Sequence, residues 1–143
     1  MNDLLYLDHA AAAPLDSRVL AAMMPYFSEV AGNASSFHTA GMRSKEAVTE
    51  ARRAIAALLA AHEEEILFTS GGTEADNLAV IGIPRAARKT LQERLGPAAK
   101  PHVITTTIEH PAVLEPLIHA EKQGEITLTQ LAVDGYGLVD PEA

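Results

Sequence analysis

The apolar and polar positions predict short elements at the start of the chain and more regular alternation after residue 60. Leu4 to Asp8 reads as a short extended segment, and the Ala10 to Ala13 run ends at Pro14. Asp16 is a good N-cap for a helix whose Val19, Leu20, Met23, Met24 and Phe27 recur at helical spacing. Gly32-Asn33 closes it, and Ala34 to His38 is loop. From about Met42 to Ala61 a longer amphipathic helix sets Ala47, Val48, Ala51, Ile55, Leu58 and Leu59 on one face. Glu46, Glu50, Arg52 and Arg53 take the other.

His62 to Glu65 is an acidic turn leading into Ile66 to Phe68, an apolar run that reads as a buried strand. Gly71-Gly72-Thr73 then turns the chain into an amphipathic segment from Glu74 to about Ile83, expected to stop near Pro84. Arg85 to Pro101 is the least patterned part, with Arg85, Arg88, Lys89, Arg94 and Lys100 around a Gly96-Pro97 breaker. Such a cluster suits an acidic partner, but a solvated helix and loop is the ordinary origin of this composition, and no function is assigned to it. His102 to Thr107 is β-branched and reads as a strand. Pro111 fits the first turn of a helix to about Gln123, with Val113, Leu114, Leu117 and Ile118 inward and Gly124 closing it. Glu125 to Leu131 alternates Ile126 and Leu128 with Thr127 and Thr129, a strand with one covered face. Asp134-Gly135-Tyr136-Gly137 is a turn. Strands alternating with helices from Ile66 onward give an α/β class with a thin, three-stranded sheet. Its last strand is an edge, so poor solubility is expected of this stretch by itself.

At 143 residues and 48% apolar composition, the chain has the length and core of one ordinary domain. No uncharged apolar run approaches the ~20 residues of a membrane span, and the first residues lack the pattern of a secretory signal. The absence of cysteine excludes a disulfide framework and fits a cytoplasmic location. A formal charge of −8 argues against a nucleic-acid partner.

The chemistry concentrates at the glycine turn. A strand turning on glycines into a helix leaves N–H groups without partners at the positive end of the helix dipole, which suits an anion. Thr73 adds a hydroxyl, and Gly71 and Gly72 let a phosphate approach the backbone. The plainer reading is a tight turn with Thr73 as an ordinary N-cap. The sequence is neither a Walker loop nor the dinucleotide fingerprint. His110 lies between a strand and a helix, at the edge where α/β sheets bind ligands, though a histidine there also serves simply as a helix cap. Asn33 reads by itself as a turn residue in a left-handed conformation. The six histidines show no two-at-one-turn spacing with a carboxylate, so no metal site is expected.

Four separated motifs point further when taken together. They are Tyr6-Leu7-Asp8-His9-Ala10-Ala11-Ala12-Ala13-Pro14, Gly32-Asn33-Ala34-Ser35-Ser36-Phe37-His38, the turn from Leu67 to Asn77, and Thr106-Thr107-Ile108-Glu109-His110-Pro111-Ala112-Val113. In this order they resemble the cysteine desulfurases, pyridoxal-phosphate enzymes of the class V aminotransferase group. The similarity runs from about Tyr6 to Asp140 but matches only about the first third of such an enzyme. It implies part of a fold-type I pyridoxal-phosphate transferase. Residues 1–60 would form an N-terminal segment with helices, and 61–143 the first strands of the large cofactor-binding domain. By the resemblance, Gly72 and Thr73 contact the cofactor phosphate and His110 stacks on its ring as a possible proton carrier. Asn33 lies near the substrate carboxylate, and Asp8 and His9 lie in the segment lining the same site. Asp8 is expected to hold its loop by accepting backbone hydrogen bonds, while Glu74 and Asn77 brace the glycine turn.

The resemblance implies a homodimeric enzyme of sulfur metabolism and iron–sulfur cluster assembly. It takes sulfur from L-cysteine or a related amino acid, giving alanine and an enzyme persulfide that passes to a sulfur-acceptor protein. The Schiff-base lysine, ring-nitrogen aspartate, persulfide cysteine and carboxylate-binding arginine of the family all fall beyond Ala143. None of Lys45, Lys89, Lys100 and Lys122 resembles that lysine, so these residues are expected to be inactive by themselves, with no catalytic residue of their own. His9, Ala12-Ala13 and Ala34 depart from the common Asn, Thr-Thr and Pro of relatives. That keeps selenocysteine lyase or another class V relative open, as well as a noncatalytic phosphate-binding fragment.

Overall fold

The computed structural model describes residues 5–142, which form two compact units dividing between Leu67 and Phe68. Leu4, at the head of the expected extended segment, lies outside the described residues.

The N-terminal unit begins with a turn. The Tyr6 hydroxyl sits 2.8 Å from the Asp8 carbonyl and 2.7 Å from that of Ala12, and the Ala11 and Ala12 N–H groups also donate to the Asp8 carbonyl. Asp8 therefore holds this loop through its main chain. The Asp16 carboxylate caps helix α1 (Ser17–Met23) by accepting the Arg18 N–H at 2.8 Å. The helix expected to continue to Phe27 breaks at Pro25, and a separate turn, α2 (Pro25–Ser28), follows. Proline has no N–H to continue the ladder and suits a new first turn instead.

Helix α3 (Thr39–Leu59) starts earlier than the expected Met42, because the His38 Nδ1 accepts the Gly41 N–H and so caps it. It ends at Ala60, which adopts a left-handed φ of 51°. Its expected apolar face is only partly covered: Ile55 is half-buried, whereas Leu58 is 85% exposed. A 3-10 turn, Glu63–Glu65, follows and is tied back to α3 by Arg53, whose Nε lies 2.9 Å from Glu63 Oε1. Ile66 to Phe68 is not a strand, and Leu67 is 69% exposed. The Ile66 N–H donates to the Glu63 carbonyl and its carbonyl accepts the Arg52 Nε–H at 3.3 Å, so these groups are taken locally rather than by a strand ladder. The sheet among the described residues pairs only the two later strands.

The C-terminal unit opens with helix α4 (Gly72–Leu95), which runs through Pro84 where a stop was expected. Proline removes one ladder bond, but Pro84 is buried, and the bonds on either side carry the helix on. The stop falls instead at Gly96, whose φ of 100° is available only at low cost to glycine, with Pro97 after it. Strand β1 (His102–Thr106), helix α5 (Pro111–Lys122) and strand β2 (Thr127–Leu131) form a βαβ unit. The two strands are parallel, in register from His102↔Thr127 to Thr106↔Leu131. The sheet thus has two strands among the described residues rather than three. Leu117, Ala120 and Ile126 form the core of this unit, with Val80, Val103, Val113 and Leu128 packed on it. The Asp134 turn is as the sequence predicts: its carboxylate accepts the N–H groups of Tyr136 and Leu138. No helix among the described residues is long and apolar enough to cross a membrane.

Candidate functional site

The first intrahelical bond of α4 runs from the Ala75 N–H to the Gly71 carbonyl at 3.2 Å. The N–H groups of Gly72, Thr73 and Glu74 therefore have no acceptor within the helix, and no side chain caps them. They point out of a 24-residue helix whose dipole favours negative charge at this end. A Cβ added at Gly71 or Gly72 would meet nothing within 4 Å, so the approach to these donors is open. Glu74 is the nearby negative charge. Its Oε2 accepts the Ser70 N–H at 2.7 Å and the Ser70 hydroxyl at 2.6 Å. The Ser70 hydroxyl, and after it the Ser70 N–H, holds this carboxyl below its usual range. The carboxylate is thereby folded back onto the turn as a brace.

His110 is the N-cap of α5, and its Nδ1 accepts the Ala112 N–H at 3.0 Å. A ring nitrogen that accepts carries no proton, so the neutral ring has its proton on Nε2, and its orientation is set by the cap. The preceding Glu109 is occupied, accepting the Thr106 hydroxyl at 2.8 Å. The Thr107 N–H donates to the Leu131 carbonyl, so parallel pairing persists to the edge of the loop that carries His110. His110 itself is exposed at the C-terminal end of β1.

One side chain joins these two helix starts. The Asn77 Nδ2 donates to the Thr73 carbonyl at 2.8 Å and to the Ala112 carbonyl at 3.2 Å. Bracing of the glycine turn by Asn77 was legible from its place one turn after Glu74 on the same helix, but its bond to the Thr73 carbonyl and the reach to α5 were not. A signal existed: Pro116, four residues after Ala112, has no N–H to offer that carbonyl.

Asn33 belongs to the N-terminal unit. It is a turn residue, but not in the left-handed conformation expected of it, since Ala60 is the sole non-glycine with positive φ among the described residues. Its Oδ1 accepts the Ser35 N–H at 2.9 Å, and its carbonyl accepts the Ser36 N–H, an arrangement compatible with ordinary φ. This loop rests on the bare Cα of Gly41, where an added Cβ would lie 2.6 Å from the Asn33 carbonyl oxygen. His9 is exposed, with its ring centroid 5.3 Å from that of Tyr6.

The profile of the class-V aminotransferases matches residues 5–143. A cysteine desulfurase IscS from Dictyoglomus turgidum is 44% identical over 138 residues, 96% of this chain and 32% of that protein. Among solved structures, a NifS-like protein superposes with a TM-score of 0.77 at 34% identity, over 94% of this chain and 34% of its own. SspA in complex with cysteine gives a TM-score of 0.70 at 35% identity, over 87% and 33%. The chain thus spans about a third of the length of the relatives it matches. It belongs to the class-V aminotransferase family, whose members are pyridoxal-phosphate-dependent enzymes.

Proposed function

We propose that this chain supplies the phosphate cradle and the ring-facing histidine of a pyridoxal-phosphate-dependent cysteine desulfurase. The observation that carries the reading is the pair of helix starts: three unpartnered N–H groups and the Thr73 hydroxyl at α4, tied by Asn77 to the helix that His110 caps. The donor set fits the cofactor. Main-chain N–H groups at a helix start suit a phosphate dianion, and the glycines leave it room. When bound, the cofactor supplies an electron sink for bonds at the amino-acid α-carbon.

The residues present divide the remaining work. Gly72 and Thr73 anchor the phosphate. His110 presents an imidazole whose Nδ1 is held by the Ala112 N–H, leaving Nε2 to hold or pass a proton. Asn33 is assigned to the substrate carboxylate. The 143 residues contain no cysteine, so no thiol here takes up sulfur as a persulfide. The same reading includes a homodimeric whole enzyme, L-cysteine as sulfur source and a second protein as acceptor, and by it this chain alone releases no alanine.

Titration of the chain with pyridoxal phosphate tests the reading. Saturable binding is expected that inorganic phosphate competes away and that Thr73→Ala weakens by about tenfold. Binding indifferent to inorganic phosphate, or alanine formed from cysteine by these residues unaided, would overturn it.

A further inference from the structure

Asn77 does more than brace its own turn. In a regular helix the Ala112 carbonyl accepts the N–H of residue 116, but that residue is Pro116, inside α5. Ala112 is buried, so a carbonyl left without a donor there is costly. The donor comes from the other helix: the Asn77 Nδ2 lies 3.2 Å from the Ala112 oxygen while its second hydrogen serves the Thr73 oxygen at 2.8 Å. Both amide hydrogens are used, and both acceptors lie in the first turns of the helices that start at Gly72 and at His110. Ala112 is also the residue whose N–H orients the His110 ring. The two bonds use the adjoining peptide units on either side of the Ala112 Cα, so a displacement of Ala112 moves the imidazole.

We propose that Asn77 is a positioning residue. By donating to the carbonyl that Pro116 leaves vacant, it sets the separation between the anion turn at Gly72-Thr73 and the His110 ring. It thereby selects ligands carrying a phosphate and a flat ring at that separation. The inference rests on the proposed cofactor reading.

The test uses the 143-residue chain, with pyridoxal phosphate as a probe spanning both ends and inorganic phosphate as a probe of the turn alone. Asn77→Ala and Asn77→Asp are expected to weaken pyridoxal phosphate about tenfold and to change inorganic phosphate, followed at the Gly72 and Thr73 amides, by less than about twofold. Pro116→Ala restores an N–H to the Ala112 carbonyl. Added to Asn77→Ala, it is expected to recover thermal stability but not pyridoxal phosphate affinity. Recovery of affinity in that double variant would show that Asn77 only satisfies a carbonyl, and would overturn the proposal. Equal weakening of both probes would overturn it too. A parent chain without phosphate-competed pyridoxal phosphate binding would instead bring down the cofactor reading, and this inference with it.

Discussion

Arg85 and Glu125, 40 residues apart, meet through two parallel contacts, Nε to Oε2 at 2.9 Å and Nη2 to Oε1 at 3.1 Å. The pair ties the middle of α4 to the residue just before buried Ile126. It also accounts for part of the basic stretch after Pro84, in which Lys89 lies at helical spacing from Glu93, 4.0 Å away. As far as Leu95 this stretch is therefore part of a long helix, and Lys100 lies in the loop after it. The fork geometry places Glu125 below its usual range, through the Arg85 hydrogen bonds first and their charge attraction after. A carboxyl lowered on folding contributes stability that is complete above its ordinary value of 4.5 and is lost as pH falls through the lower, folded value. Acid unfolding of Glu125→Gln is thus expected to be less steep below about pH 4.5 than that of the parent. Near neutrality the fall in Tm should be small, on the order of a few degrees or less, as for an exposed pair.

Gly72→Ala separates folding from binding. The added methyl meets nothing within 4 Å, and alanine favours a helix over glycine, so thermal unfolding should stay level or rise slightly. Because Cβ atoms tilt toward the helix start, the methyl stands over the open donors. Pyridoxal phosphate affinity, read by equilibrium titration, should fall by about tenfold.

Gly41→Ala should have the reverse character. Its Cβ would lie 2.5 Å from the Ser36 carbonyl oxygen and 2.6 Å from that of Asn33, both main-chain atoms that cannot swing aside. Loss of about 1–3 kcal/mol in urea unfolding is expected, the usual cost of overpacking, with local disturbance of the Asn33 amide in NMR spectra.

Ala60→Gly should stabilise the chain. Ala60 closes α3 at φ 51° and ψ 39°, a left-handed cap that favours glycine. Relief of the Cβ contact should add about 1 kcal/mol, seen as a higher urea midpoint at unchanged slope.

Ile83 and Ile104 line one apolar groove between α4 and β1 and are 69% and 59% exposed. Two such side chains together favour concentration-dependent association. Ile104→Thr, which keeps β-branching while losing apolar surface, should reduce it in sedimentation velocity.

Local order was legible at several positions that one residue decides, though the His38 cap and the break at Pro25 were not among them. Asp16 as a cap, Pro111 opening α5, Gly124 closing it and the Asp134 turn follow from φ limits and short-range donors that act within a few positions. The glycine turn and His110 were legible for the same reason, each sitting where a helix begins. Tertiary packing decided the rest. Pro84 lies inside α4 and is buried, which spacing along the chain does not reveal. Ile66 to Phe68 has strand composition but lies outside the β1–β2 ladder, and pairing is a property of two segments. The join between the helix starts depends on a carbonyl at Ala112, a proline four residues on and an amide at Asn77, and only the fold brings Ala112 within 3.2 Å of Asn77.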